Sequence, residues 1–300
     1  MDFLRLLANY RCSFLNVAFQ SITWIAQETI VVIVICWLYW CCNKKLAHIL
    51  GFTYFLSGLL VQALKITFRI PRPWILDPDF KAVESAVPGA TGYSFPSGHT
   101  QSGTALFSTL GFHFQKKAVK FICFFIMCLI GFSRMYLGVH TPKDVLVSMA
   151  LTFIISFIVY NHLAPKLNGS ENIMRLSFGL LTTCLLLFAY AGILYCTHIA
   201  DPDMAADALK AGGAGLGFAL GYYIEQTRIR FSMPKSAKEK ALRFTTGLFS
   251  VIVLMVIFHF TIKKFLIGNI ISYFLLILWI VAVYPAIFSY VSYKQEGASV

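Results

Sequence analysis

The chain has 300 residues, of which 58% are hydrophobic and 13% charged, and its formal net charge is +12 at pH 7. Soluble domains are roughly half apolar, so this composition excludes an ordinary soluble enzyme. The lysines and arginines lie mostly in short segments between apolar runs, which indicates membrane topology rather than nucleic-acid binding. We therefore expect a protein embedded in the lipid bilayer, with no nucleic-acid partner.

Apolar runs long enough to cross a bilayer, about 20 residues each, recur along the chain. Residues 1–23 instead mix Arg5, Asn9 and Arg11 with Leu and Phe, which predicts an amphipathic helix at the membrane interface. The candidate spans are residues 24–42, 47–68, 99–114, 119–136, 144–163, 176–196, 209–224, 244–262 and 269–290. This pattern predicts an all-α, polytopic transmembrane helix bundle.

The basic residues between the spans indicate how the chain is oriented. If the spans alternate in direction, the basic segments fall on one side, which the positive-inside bias assigns to the cytoplasm. These segments are residues 43–45, 115–120, 166–175 and 228–243. The extracytoplasmic side then receives residues 71–95, residues 138–143 and an acidic loop at residues 201–207.

Several ionisable residues lie at the ends of four different spans. They are Lys65, His99, Arg134, His140 and Asp144. Alternation of the spans brings all of these ends to the extracytoplasmic surface. Because ionisable residues at membrane depth are costly, they suggest function by default, and we expect them to share one site.

The first group in chain order is Lys65-x6-Arg72-Pro73, at the end of the second span. Pro71 and Pro73 stop the helix, so the group supplies cations at a helix end. A snorkelling membrane anchor would produce the same pattern.

The second group is Pro96-Ser97-Gly98-His99, at the start of the third span. Ser97 is a good N-cap residue, and Gly98 lets an anion approach the backbone. Since a helix N-terminus presents unpaired N–H groups and a positive dipole end, the turn suits a phosphate. An ordinary capped turn is the alternative interpretation.

The third group is Ser133-Arg134-x5-His140, followed by Thr141, Pro142 and Asp144. Thr141 as N-cap, Pro142 at the first helical position and Asp144 three residues after the cap predict a capping box. Asp144 has two interpretations, a capping acid or a carboxylate that also accepts a hydrogen bond from His140 and fixes its tautomer.

Together the groups provide cations, backbone dipoles, a nucleophile and an acid, which is what phosphoryl transfer needs. Their order, Lys-x6-Arg-Pro, Pro-Ser-Gly-His and Ser-Arg-x5-His-x3-Asp, resembles the signature of the type 2 phosphatidic acid phosphatase superfamily. The resemblance covers Lys65 to Asp144. It implies a six-span phosphatase core over residues 24–200. Residues 201–300 depart from that pattern, because their apolar runs predict two to three additional spans.

The resemblance also implies roles for individual residues. His140 would be the nucleophile that forms a phosphohistidine, Asp144 would orient it, and His99 would protonate the leaving oxygen. The phosphate would be held by Lys65, Arg72, Ser97, Gly98 and Arg134. The enzyme would need no metal and no cofactor, and would act on a membrane lipid phosphate or diphosphate such as undecaprenyl diphosphate or phosphatidate.

Two alternatives stay open from the sequence. The phosphohistidine could pass its phosphate to another lipid or sugar hydroxyl, which would make the protein a phosphotransferase. A catalytically silent lipid-phosphate transporter is the other alternative, although a pure binding site needs no nucleophile with an orienting carboxylate. Haloperoxidase relatives are disfavoured because they are soluble. The absence of a long tail, signal peptide or retention motif favours a bacterial plasma membrane. The charge pattern places the site on the extracytoplasmic side.

The segment after residue 201 carries two further expectations. Glycines at positions 212–221 predict a small-residue face for close helix packing. Glu225 lies near Arg228 and Arg230, which predicts an interfacial ion pair on the cytoplasmic side, away from the site.

Overall fold

The computed structural model describes residues 1–167, 170–262 and 265–297, and the regular structure in these ranges is entirely helical. The predicted all-α bundle is therefore confirmed. The helices are α1 (Asp2–Ala8), α2 (Ser13–Trp24), α3 (Glu28–Trp37), α4 (Lys44–Phe68), α5 (Pro73–Leu76), α6 (Gly98–His113), α7 (Lys117–Tyr136), α8 (Pro142–Ile158), α9 (Ser170–Cys196), α10 (Pro202–Ile224), α11 (Ala237–Thr261), α12 (Leu266–Leu278) and α13 (Tyr284–Gly297). Four of them run on into a wider, π-helical turn, at Leu38–Cys42, Val159–Leu163, Glu225–Ile229 and Trp279–Val283.

Six helical segments of the described chain are long and apolar enough to cross a membrane. They are Lys44–Leu76, Lys117–Tyr136, Pro142–Lys166, Glu171–Cys196, Ala237–Thr261 and Leu266–Val291. A seventh span arises if α2 and α3, which meet at a 45° bend, are counted as one. The predicted spans at residues 99–114 and 209–224 are absent from this set. Their helices, α6 and α10, instead bury most of their length inside the bundle.

The two interior helices are built from small residues. α6 packs against α4, α7 and α8, and α10 packs against α4, α9 and α12. On α10, a Cβ added to Gly213 would lie 2.8 Å from the carbonyl oxygen of Ile270, and one added to Gly217 would clash with the carbonyl oxygen of Phe274. The predicted small-residue packing face is therefore confirmed. Its partners are α12 and, through Gly212 and Gly215, α9.

The end of the bundle where α4 begins and α10 ends contains a buried ion pair. Glu225 is fully buried, and its Oε1 lies 2.8 Å from Nζ of Lys44. The predicted ion pair is therefore present, but the predicted partners Arg228 and Arg230 were wrong. The turn after α10 directs Glu225 toward the start of α4, while Arg230 adopts a left-handed φ of 48° and donates from Nε to the backbone of Gln226.

Candidate active site

The other end of the bundle contains a cavity of about 360 Å³. Its walls come from the C-terminal ends of α4 and α7, the N-terminal ends of α3 and α6, and the loops that join them. The predicted site residues that line it are Lys65, Arg72, Gly98, His99, Arg134 and His140. The structure thus brings together residues that are up to 75 positions apart, because the helix ends that carry them share one end of the bundle.

The N-terminus of α6 is open toward this cavity. Ser97 caps the helix as predicted, because its hydroxyl accepts hydrogen bonds from the Thr100 amide at 3.4 Å and from the Thr100 hydroxyl at 2.9 Å. A Cβ added to Gly98 would have no atom within 4 Å, so there is room for an anion beside this backbone. Ser97 itself does not line the cavity, and its role as a phosphate ligand stays a prediction.

The N-terminus of α8 positions the neighbouring histidine. Asp144 Oδ2 accepts from the Thr141 amide at 2.7 Å, and the Asp144 amide donates to the Thr141 hydroxyl, which confirms the predicted capping box. His140 lies directly before this cap, in the loop between α7 and α8. The distance from its Nδ1 to Asp144 Oδ2 is 3.7 Å, which is too long for the direct hydrogen bond that the sequence suggested.

Ser94, which the sequence did not single out, connects the two residues. Its hydroxyl donates to Asp144 Oδ2 at 2.6 Å and lies 3.5 Å from His140 Nδ1. All three side chains are buried. The Ser94 hydroxyl therefore lies between the carboxylate and the ring, and the role of Asp144 in orienting His140 stays a prediction.

Arg72 fixes the protonation state of His140. Its Nη1 lies 3.0 Å from His140 Nε2, and its other donors bind the carbonyl oxygens of Thr91, Gly92 and Val139. Because a guanidinium can only donate, Nε2 must be the acceptor, and the ring proton of the neutral imidazole lies on Nδ1. Burial, together with the nearby cations, lowers the pKa of His140 well below the usual histidine value.

Arg134 places a buried positive charge in the cavity wall. Its side chain is 2% exposed and donates from Nη1 to the Thr23 hydroxyl at 3.0 Å. Its Nε and Nη2 atoms are buried without a hydrogen-bond partner among the described residues. A buried donor without a partner is costly, and a buried charge more so. The arrangement suits an anionic ligand that would satisfy these donors.

Two family models match different parts of the chain. The model of the PAP2 superfamily matches residues 46–166, and the model of the PAP2 superfamily phosphatase, transmembrane extension, matches residues 209–296. The chain belongs to the PAP2 superfamily. The first match contains the three motifs of the cavity, and the second contains α11, α12 and most of α10.

Two phosphatases of Bacillus subtilis are similar to parts of this chain. The undecaprenyl-diphosphatase BcrC of Bacillus subtilis is 32% identical over 106 residues, which are 35% of this chain and 52% of the relative. Phosphatidylglycerophosphatase B of the same organism is 30% identical over 118 residues, 34% of this chain and 56% of the relative. The chain thus spans about half the length of each. The crystal structure of Aquifex aeolicus LpxE has a TM-score of 0.47 at 30% identity and covers 54% of this chain and 94% of LpxE.

Proposed function

We propose that this PAP2 protein is an integral membrane phosphatase that hydrolyses a lipid phosphate or diphosphate through a phosphohistidine on His140, without a metal. The observation that carries the proposal is the pair of unpartnered donors on Arg134 in the cavity that His140 lines. Lys65, in the same cavity, also has no hydrogen-bond partner in the described part of the chain. The unpaired cations can bind a phosphate, and the neutral histidine beside them can act as the nucleophile.

In the first step, the Nε2 lone pair of His140 attacks phosphorus in line with the leaving oxygen. Arg72 releases Nε2 and donates to a phosphate oxygen instead, so that the lone pair becomes free. The N–P bond forms as the P–O bond breaks. Burial and the cations Arg134, Lys65 and Arg72 lower the pKa of His99; the bound phosphate dianion offsets these cations, so that His99 takes up a proton from solvent and gives it to the leaving oxygen. Arg134, Lys65 and the amide at Gly98 stabilise the charge on the equatorial oxygens.

In the second step, water attacks the phosphohistidine. His99, now neutral, accepts a proton from this water, the N–P bond breaks, and inorganic phosphate leaves. His140 keeps the proton on Nδ1 throughout, supported by Ser94 and the charge of Asp144. The relatives make diphosphate and glycerophosphate lipids the first substrates to test.

The proposal is tested with the purified full-length chain in detergent, incubated in EDTA with a panel of lipid phosphates while released phosphate is measured. We expect release in EDTA, because Lys65, Arg72 and Arg134 supply the positive charge that a metal would bring. Vanadate should inhibit by occupying the same site. Activity that disappears in EDTA and returns with magnesium would contradict the metal-free mechanism, and binding without turnover would favour a transporter.

We further propose that the site faces the extracytoplasmic side of a bacterial plasma membrane. The support is the charge bias, because the basic segments lie at the other end of the bundle from His140. Single cysteines at Glu84 and Lys238, both exposed, can be probed with an impermeant maleimide on intact cells after the native cysteines are replaced. We expect labelling only of the cysteine at position 84. Labelling only of the cysteine at position 238 would show that the orientation is the reverse of the one proposed.

A further inference from the structure

A second cavity, of about 330 Å³, adjoins the one that contains His140. Several residues line both cavities, so the two are direct neighbours. They are Glu28, Gln62, Lys65, Thr91, Ala211 and Ala214. The outer walls of the second cavity come from α10, through Asp207 and Lys210, and from α12, through Tyr273.

The charges of this second cavity differ from those around His140. Asp207 Oδ1 lies 2.9 Å from Lys210 Nζ, one turn apart on α10. The carboxylates of Glu28 and Asp207 are close enough to interact electrostatically, and Tyr273 interacts with both. The second cavity contains the amines of Lys65 and Lys210 and the carboxylates of Glu28 and Asp207, so its positive and negative charges balance. The cavity around His140 has an excess of cations.

Two side chains of the second cavity have unused hydrogen-bonding capacity. The carboxylate of Glu28 and the amide of Gln62 have no hydrogen-bond partner within the described residues. Carboxylates accept hydrogen bonds strongly, so a ligand group that donates would be bound well. A second phosphate would meet two carboxylates as well as the two amines there, so this cavity attracts it less than the cation-rich cavity around His140 does.

We infer that this second cavity is a headgroup subsite, in which Glu28, Gln62 and Asp207 accept hydrogen bonds from hydroxyl or ammonium groups next to the phosphate of a lipid phosphate monoester. The inference rests on the proposed function for the placement of the phosphate near His140. It assigns α10 a part in substrate selection, because Asp207 lies on this helix. Of the lipid phosphates and diphosphates in the proposed function, it predicts that a diphosphate lipid is the poorer substrate.

The inference is tested by comparing four probes that differ next to the phosphate. Phosphatidylglycerophosphate offers a hydroxyl, sphingosine 1-phosphate offers an ammonium group and a hydroxyl, phosphatidate offers neither, and farnesyl diphosphate offers a second phosphate. The variants are Glu28→Gln and Asp207→Asn, and the matched control is Asp203→Asn, an exposed acid on the same helix outside both cavities. Thermal melting of each variant separates folding defects from changes in recognition.

For the wild type, kcat/KM should be about 10-fold higher with either donor-bearing lipid than with phosphatidate. Asp207→Asn should lower kcat/KM about 10-fold for the donor-bearing lipids and change it less than about 2-fold for phosphatidate. For farnesyl diphosphate, kcat/KM should rise, because the variant lacks a negative charge near the second phosphate. A loss confined to sphingosine 1-phosphate would identify the ammonium as the ligand group. Equal losses for all four probes, or none, would overturn the inference.

Affinities measured in a His140→Ala background keep this test independent of turnover. There, Asp207→Asn and Glu28→Gln should each weaken binding of the donor-bearing lipids by about 10-fold, while Asp203→Asn leaves it unchanged. If the wild type hydrolyses none of the lipids but this binding difference holds, the phosphatase proposal fails and the subsite stands. If the lipids are hydrolysed but the binding difference is missing, the subsite fails alone.

Discussion

The two ends of the helix bundle both bury charge, but they do so in opposite ways. At the end that contains His140, Arg134 is 2% exposed and leaves two nitrogen atoms without partners among the described residues. At the other end, Glu225 is 0% exposed and is bound by Lys44 at 2.8 Å and by the Gln226 amide at 2.6 Å. Glu225 therefore has its partners within the fold, so that breaking this pair would be costly. Arg134 lacks such partners and suits an anionic ligand.

This contrast predicts that buried histidines at the two ends behave differently. His140→Ala should lower kcat by at least about 10⁴-fold, because it removes the nucleophile. His48→Ala is the matched control, a buried histidine beside Glu225, and its rate per folded molecule should equal that of the wild type. Phosphate release from each purified variant measures both, and comparable losses in the two would remove the distinction between the ends.

Replacing Arg134 tests whether its unpaired guanidinium binds the phosphate. Arg134→Met should lower kcat/KM by about 10²- to 10³-fold, because it removes donors that stabilise the transition state. Its melting temperature in phosphate-free buffer should not fall, since an uncompensated buried charge is lost with it. Vanadate should raise the melting temperature of the wild type and have little effect on the variant. A variant that is both active and strongly destabilised would mean that Arg134 is structural.

The complementary change is Glu225→Ala. It should destabilise the protein by about 2 kcal/mol, less than a fully buried pair because the Lys44 side chain is 22% exposed. The turnover rate of the folded fraction should remain that of the wild type, because Glu225 lies at the other end of the bundle. Denaturant unfolding in detergent and phosphate release measure the two effects. A large loss of turnover without destabilisation would contradict a structural role.

The smallest expected effect is a shift in the pH dependence of kcat/KM. The pKa of His140 is lowered, first by burial and then by Arg72, Arg134 and Lys65, and the reaction needs the neutral ring. The acid limb of kcat/KM should therefore lie below the usual histidine range. In Arg134→Gln one cation is gone, so the pKa of His140 should rise and the limb should move to higher pH. Comparing the two proteins with one substrate cancels the ionisation of the substrate, and a limb that stays in place would contradict the assignment to His140.

The sequence predicted the helix ends that build the site, because local rules determine them. Thr141 and Asp144 form the capping box that their spacing indicates, and Ser97 caps α6. Alternation of apolar spans is enough to place Lys65 and His99 at the same end. These features depend on residues close together in the chain, or on the direction of each span.

What the sequence did not predict depends on tertiary contacts. Ser94 lies in an irregular loop, and no local pattern shows that it reaches Asp144, 50 positions away. The partner of Glu225 is 181 positions away, whereas the sequence offered nearby arginines. Apolar content alone also does not separate a helix that faces lipid from one such as α10, which other helices surround.

The phosphohistidine itself gives the most direct test of the proposed chemistry. Rapid-quench reactions with a lipid substrate labelled in the phosphate should give a protein-bound label that is lost in acid and retained in base. The label should be absent from His140→Ala and present in His48→Ala. A label of equal intensity in His140→Ala, or one that survives acid, would contradict a covalent intermediate on His140.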